Sequence, residues 1–499
     1  MTTAPAVPQV GEKDPLRWKA MIFIGVSQLM VVLDASIVNL ALPSAKRALG
    51  ISDANQQWVI TAYTLTFGGL LLLGGRIADY VGRKRTFLIG LMGFALASLL
   101  GGIAPTAGVL FAARALQGGF AALLAPAALS LVSVIFTDPK ERAKAFGIFG
   151  AIAGGGAALG LLLGGVLTEY ASWRWCLAVN TPISIIAALG AIRFVRESKA
   201  PGNTSYDIPG AITVTLGLVS LVYGLTKAAP KQGDTSAHWT EPATLAFLVT
   251  GVVLLIAFVL IERRTSNPLL PMRVALERNR GGAYLSSLIT GAGLFSMFLF
   301  LGLYLQVIKG FSPIRAGFAF LPFSLGIILT AGVASYLLPK LGPRPLMVPG
   351  LLMAAAGLYW LTFLEYDSPY LTHVLPAMVL MSVGMAFVFI PTASTALHGV
   401  GHHDAGVASA LINASQQVGG SIGAALLNTV AVTVSTSYFA SHLPPTTTTQ
   451  YEALTAGYTK AFMVSTGLML VAAVVVLALI RIGKESLQEQ DDDVPVHLA

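Results

Sequence analysis

The sequence predicts an all-α membrane protein with fourteen transmembrane helices. Three observations carry that prediction. The 499 residues are 55% hydrophobic and only 11% charged, where a soluble domain carries about 25% charged residues. A soluble fold of this length could not hide so much apolar side chain, because much of its surface must still face water. The apolar residues fall into stretches of about 20, the length that crosses a bilayer as a helix. The basic residues collect in alternate connections between those stretches. A soluble globular protein, a disordered chain and a nucleic-acid-binding module are all excluded by this composition. Cys176 is the one cysteine, so neither an intramolecular disulfide nor a cysteine metal cluster can form.

In chain order, the first segment, 20–42, is of full spanning length and lacks a small-residue cleavage site, which argues against a signal peptide. Segment 57–75 leads into the basic connection Gly75–Arg85, and 86–105 follows it. Segment 107–136 is longer than a bilayer needs, so it tilts or overhangs. Segment 145–167 is rich in glycine. Segment 175–192 follows Trp173-Arg174-Trp175. Segments 208–226 and 243–261 come next, then 282–308, then 316–339, which contains no acidic residue. Segment 345–364 carries Trp360. Segment 372–397 leads to a His-rich connection, 406–437 is again long and glycine-bearing, and 461–480 is last. The other tryptophans mostly fall at span ends, as an interfacial belt requires.

Sidedness follows from the basic residues. The N-terminus, the even-numbered connections and the C-terminus together carry 22 of the 31 Lys and Arg residues. The odd-numbered connections carry 8, and Arg114 lies inside a span. That bias places both termini in the cytoplasm of a multi-pass protein of the plasma membrane. The acidic tail Gln488–Asp493 reads as a solvated end.

Two echoes point to duplication. The connection from Gly75 through Asp79, Gly82 and Arg83 to Arg85 returns in worn form as Tyr336–Arg344, after the tenth span. The glycine-rich fifth span returns in the thirteenth, which carries Gly406, Gly419, Gly420 and Gly423. Both pairs are eight spans apart. The expected organisation is a segment 1–19, a six-helix half 20–192, two inserted helices 208–261, a second six-helix half 282–480 and a tail 481–499. Duplicated halves let one half rock against the other around a site near the midplane, as transporters do. Helices that are alike only in their small residues remain the alternative.

Four motifs in fixed order make the sequence resemble the major facilitator superfamily, and within it the fourteen-span drug:proton antiporters, over nearly the whole chain. The first is Leu33-Asp34-Ala35-Ser36-Ile37-Val38-Asn39-Leu40-Ala41-Leu42-Pro43, similar to the first-helix motif of that group, with Ser36 where Thr is usual. The second is the Gly75–Arg85 loop. The third, Arg114-Ala-Leu-Gln117-Gly118-Gly119, is similar to the fourth-helix motif of proton-driven members and departs at Phe120, where a small residue is usual. The fourth, Gly147, Gly156, Gly160, Gly164 and Gly165, fits the fifth-helix motif of exporters and departs at Leu161, where that motif has proline. Trp173-Arg174-Trp175 fits the group as well. The resemblance implies the major facilitator fold, two six-helix halves plus two inserted helices, and a monomer.

Asp34 is the one acid of 23 placed well inside a span. A charged carboxylate at a helix centre costs about 2.5–3.5 kcal/mol on insertion scales. Such a residue must be neutral, be paired, or face water. Burial favours the neutral acid and a neighbouring cation favours the carboxylate, so a conformational change in either alters proton occupancy. A carboxyl that only braces neighbouring helices is the plainer alternative. Arg114 lies about seven residues into its span. It could snorkel to the helix end. By resemblance it sits beside the acid and tunes it, holding a charge that never titrates.

Gly75, Asp79, Gly82 and Arg83 read as a gating loop. Its glycines permit a tight turn, and Asp79 can bind a positive helix N-terminus across the seam, the start of span thirteen being the candidate. The loop also sets topology. The fifth-span glycines allow close helix approach and bending, or packing alone. Asn39, Gln117 and Trp360 are the substrate-cavity candidates, with lipid or helix packing the commoner role for Trp360. His398, His402, His403 and Asp404 read as an exposed loop, and no metal site is expected.

No phosphate-binding loop, HExxH or GxSxG grouping occurs. The sequence therefore predicts no enzyme and no cofactor, with a proton gradient as the energy source. The expected function is proton-coupled efflux of lipophilic, neutral or monocationic small molecules such as drugs and antibiotics. One embedded acid suits such cargo better than dications. A carrier of lipids, peptides or a self-made metabolite on the same fold is the first alternative, and a non-transporting receptor the second.

Overall fold

The computed structural model describes residues 15–483, apart from 137, 200–206, 231–233, 401–403 and 443–445. Among the described residues there are helices and connections but no strand. The long helices are α1 (Arg17–Leu49), α2 (Trp58–Val81), α3 (Arg83–Gly102), α4 (Ala107–Ile135), α5 (Pro139–Tyr170), α6 (Trp175–Phe194), α7 (Ile208–Lys227), α8 (Pro242–Arg264) and α9 (Arg278–Ile308). They continue with α10 (Pro313–Leu341), α11 (Pro343–Leu361), α12 (Tyr370–Leu397), α13 (Ala405–Ser441) and α14 (Thr447–Leu479). Thirteen of them are long and apolar enough to cross a bilayer. The fourteenth is α5, of 32 residues, with its apolar stretch at Gly155–Tyr170.

Local sequence sets many of the starts. The Thr106 hydroxyl accepts from Val109 N at the head of α4. Ser312 does the same for Arg315 N ahead of Pro313, the first residue of α10. The Glu277 carboxylate accepts from Asn279 N and Arg280 N at the head of α9. Each satisfies a backbone donor that the first helical turn leaves open. Within the bilayer every backbone group must be paired, and the helix does this inside one segment.

The first six helices pack among themselves, α2 and α3 on α4, α5 on α1, and α6 on α3 and α1. The last six do likewise, with α9 against α13 and α14, and α11 and α10 against α12. The seam between these sets is made chiefly by α2 on α13 and α5 on α10. The inserted pair lies outside it: α7 packs on α8, α2 and α13. Only 17% of the most apolar window of α8 is buried, so this helix offers its surface to lipid.

The bundle has two faces. One carries the start of α1 and the loop between α2 and α3, and is called the loop face below. At the opposite face a single hydrophobic cluster runs through both halves, from Ile37, Leu40, Val59 and Leu161 to Phe300, Phe320 and Leu427. Towards the loop face the clusters are smaller and touch across the halves at fewer residues. One is built mainly from α1–α4 and α6 around Phe87, Phe94 and Leu131, and takes in Ala145 of α5 and Ala414 of α13. The other is a small group around Tyr284, Ala396 and Ala408. The halves share the large cluster at the opposite face and meet through smaller clusters elsewhere.

Candidate functional site

Asp34 sits midway along α1 with no exposed surface, and Arg114 of α4 is 1% exposed. The Arg114 Nη1 donates to Asp34 Oδ2 at 2.6 Å and to Gln117 Oε1 at 2.9 Å. Gln117 Nε2 donates to Asp34 Oδ1 at 3.1 Å and to Ser98 Oγ at 2.8 Å. Asn180 Nδ2 donates to Asp34 Oδ1 at 2.7 Å. The guanidinium is itself fixed, by Nε donating to Val59 O at 2.9 Å and by the Tyr63 ring, 4.4 Å from its centre. Arg114 thus does not snorkel. It is the buried counter-charge of Asp34, in a network drawing on α1, α2, α3, α4 and α6.

The spacing of the fourth-helix motif explains part of this geometry. Arg114 and Gln117 are three residues apart, so they share one helix face. Gly118 lies on the side towards α2, where a methyl group would collide with Tyr63 O and Thr66 Oγ1. Thr66 Oγ1 donates to Ala115 O at 2.8 Å across that contact. The departure at Phe120 has its own match, because Gly93 of α3 leaves the space that the Phe120 ring fills.

The fifth-helix glycines divide. Gly156, Gly160 and Gly164 lie against α1, where a methyl would meet Val32, Ser36 Oγ and Ile37 respectively. Gly165 instead faces the other half: a methyl there would lie 2.7 Å from Ile314 Cα and 2.8 Å from Pro313 O. Gly147 faces open space. With Leu161 in place of proline, α5 continues unbroken, and Gly317 of α10 approaches the Leu161 carbonyl.

Asp79 accepts from Arg83, with Nη2 at 3.0 Å, one turn further on. The expected contact with the start of α13 is absent among the described residues; Asp404, the residue before α13, pairs with Arg273 at 2.8 Å. The N-terminus that does receive a carboxylate here is that of α3, and the carboxylate is Glu197. It accepts from Lys84 N at 3.0 Å and Arg85 N at 3.1 Å. Gly82 makes room for it, with φ at +122° and a notional methyl 2.7 Å from the Glu197 carboxyl carbon.

A carboxylate at a helix N-terminus does bridge the halves, but at the opposite face. Glu169, at the end of α5, accepts from Ile314 N at the head of α10, at 3.0 Å. At the same face, buried Asn428 of α13 donates to Gln57 Oε1 and Asp53 O, both at 3.0 Å, and accepts from Gln56 Nε2 at 3.2 Å. Thr64 and Ser421 hydroxyls meet at 2.7 Å. These contacts seal that face.

Of the cavity candidates, Gln117 is engaged in the Asp34 network. Asn39 Nδ2 donates to Ala35 O and Ser36 O of its own helix. Trp360 stands at the last turn of α11 and is 44% exposed. His402 and His403 lie outside the described residues. Among the described residues no three His, Cys, Asp or Glu side chains are grouped to hold a metal. Sequence reasoning missed Asn180, Ser98, Glu169, Glu197 and Asn428. Asn180 did leave a signal, as the one amide in α6, five residues after Trp175.

The comparisons with known proteins agree with this architecture. The family model described as Major Facilitator Superfamily matches residues 24–424. The puromycin resistance protein of Streptomyces alboniger is 49% identical over 480 residues, covering 95% of this chain and 94% of its own. The cephamycin export protein of Amycolatopsis lactamdurans is 40% identical, covering 82% and 84%. The lincomycin resistance protein of Streptomyces lincolnensis is 34% identical, covering 93% and 91%. Among solved structures, the POT family transporter PepTSo superposes with a TM-score of 0.67 at 16% identity, over 96% of this chain and 100% of that one. A D-xylose–proton symporter does so with 0.65 at 14%, over 94% and 99%; at such identities the likeness is one of fold. This all-helical, multi-span chain belongs to the major facilitator superfamily.

Proposed function

We propose that this transporter exports lipophilic small molecules, antibiotics among them, in exchange for protons, with Asp34 as the coupling carboxyl. The observation that carries the reading is the complete burial of Asp34 against Arg114, Gln117 and Asn180. All three partners donate, an arrangement suited to the ionised carboxylate, which can only accept. Arg114 opposes the neutral acid, so proton binding is favoured when the guanidinium draws away. The donors sit on α4 and α6 and the acid on α1, so proton uptake is tied to movement of helices within the first half.

With the basic bias of its connections, the loop face is cytoplasmic and the sealed face is the outside. The structure is then the state whose outer gate is shut by Glu169, Asn428 and the shared cluster. Amphiphilic cargo enters between the halves from the cytoplasm or inner leaflet while Asp34 is ionised. The halves rock, a proton from outside neutralises Asp34, cargo leaves, and the protonated carrier returns. No resident cofactor takes part, and the monomer suffices. At 100 mV one charge moved contributes about 2.3 kcal/mol.

The antibiotic named for the first relative, puromycin, is the first cargo to test. Inside-out vesicles carrying the protein should accumulate it when energised, and collapsing the pH gradient should abolish the accumulation. Vesicles that accumulate nothing across a panel of dyes and antibiotics, or that ignore the gradient, would remove the proposal. Movement in the uptake direction would favour an importer on the same fold.

A further inference from the structure

Two buried carboxyls on the inserted helices take no part in this scheme. Asp207 precedes α7 as its N-cap and Glu262 lies in the last turn of α8; they are 4% and 2% exposed. Each spends one oxygen on the backbone. Asp207 Oδ1 accepts from Gly210 N at 2.8 Å, and Glu262 Oε2 accepts from Leu270 N at 2.9 Å. The second oxygen of each, Asp207 Oδ2 and Glu262 Oε1, is buried with no hydrogen-bond partner. These two oxygens converge. A methyl on Gly210 would lie 2.6 Å from the first and 2.8 Å from the second, and Asp207 acts on Glu262 as a neighbouring carboxyl.

Two ionised carboxylates so placed would repel, and each would leave a buried acceptor unmet. One proton resolves both faults, since it turns one oxygen into a donor to the other and removes a charge. We infer that Asp207 and Glu262 share a single proton, making the inserted helices a second proton-binding site, independent of Asp34.

The charged groups around the pair agree. Arg76 of α2 is the cation that acts on Glu262, and its Nη2 is engaged with Pro268 O at 3.0 Å. Arg263 and Arg264 are exposed, and α13, which also packs on α7, carries no acidic or basic side chain. A divalent cation would need about six oxygens, and this site offers two that are unspent. Glu262 and Arg76 both hold the connection between α8 and α9, at Leu270 and Pro268. Loss of the shared proton puts a further negative charge beside Arg76, so the seating of that connection on α2 depends on pH at the loop face.

The test uses purified full-length protein and the infrared absorption of a protonated carboxyl, with Asp34→Asn as the background to remove that acid. The Asp34→Asn protein should show a protonated-carboxyl band at neutral pH that disappears as pH rises, and adding Glu262→Gln should abolish it. The amide introduced by Glu262→Gln can still donate to Asp207, so that variant should fold and its unfolding temperature should depend less on pH. In the wild type the folded state keeps a proton that the unfolded chain sheds, so the unfolding temperature should fall as the band titrates away. Asp207→Asn serves as the second variant, with the same loss of pH dependence expected. A band unchanged by Glu262→Gln, no such band at neutral pH, or an unfolding temperature raised by Mg²⁺ or Ca²⁺ in the wild type but not in Glu262→Gln would each overturn the inference.

Discussion

Replacing Arg114 by Ala removes the cation that Asp34 faces at 2.6 Å and opens three further gaps. Gln117 Oε1 and Val59 O lose their donors at 2.9 Å, and Tyr63 loses the guanidinium over its ring. Both partners of the ion pair are at most 1% exposed, so solvent cannot compensate. Removing one member of a buried pair costs about 3–5 kcal/mol, mostly because the other charge is stranded. Asp34→Asn strands Arg114 in turn and should cost a comparable amount. With both changes together no buried charge is left, and the pair's contribution is lost only once. The double variant should therefore cost about 2–3 kcal/mol less than the sum of the two singles, a coupling within the range that contacting residues show in such cycles. The assay is denaturant unfolding of the four purified proteins in one detergent at one pH. Single variants within about 0.5 kcal/mol of the wild type, or strictly additive costs, would refute the idea that Asp34 and Arg114 form one energetic unit.

Other expectations follow from the same geometry. Gly160→Ala forces a methyl into Ser36 Oγ, should cost about 1–3 kcal/mol as overpacking does, and should lower transport by moving α5 off α1 beside Asp34. Gly147→Ala meets nothing and should leave thermal stability and transport unchanged or slightly raised. Asn428→Ala takes partners from buried Gln56 and Gln57, at about 1–3 kcal/mol per group left unmet. Spin-label distances across the face opposite the loop face should widen, and Glu169→Gln should widen them less. Gly82→Ala combines a φ of +122° with a clash on Glu197; it should impair folding more than Glu197→Gln, measured as the yield of monodisperse protein.

The membrane spans were legible because each carries its own hydropathy signal. Their ends were not. α14 begins at Thr447 rather than near 461, and α1 runs to Leu49 rather than 42. Helix that projects beyond the hydrocarbon is polar, as in Thr447–Lys460, and reads like a connection. Asp34 and Arg114 stood out as lone charges, and lone buried charges of opposite sign have strong reason to meet. Asn180 and Ser98 were harder to see, because neutral polar side chains are common in spans and their partners come from distant helices. Asp79 could serve either Arg83, four residues on, or a helix N-terminus across the seam. Spacing favours neither, and the structure holds the first. Glu169 and Ile314 are 145 residues apart, and only the packing of α5 on α10 brings them together.

Proteoliposomes with an imposed pH gradient test the central claim most directly. Wild-type protein should concentrate cargo against its gradient, and Asp34→Asn should retain cargo exchange at equal pH but lose every trace of pH-driven accumulation. Asp34→Asn protein that still concentrates cargo when the pH gradient is applied would contradict the account.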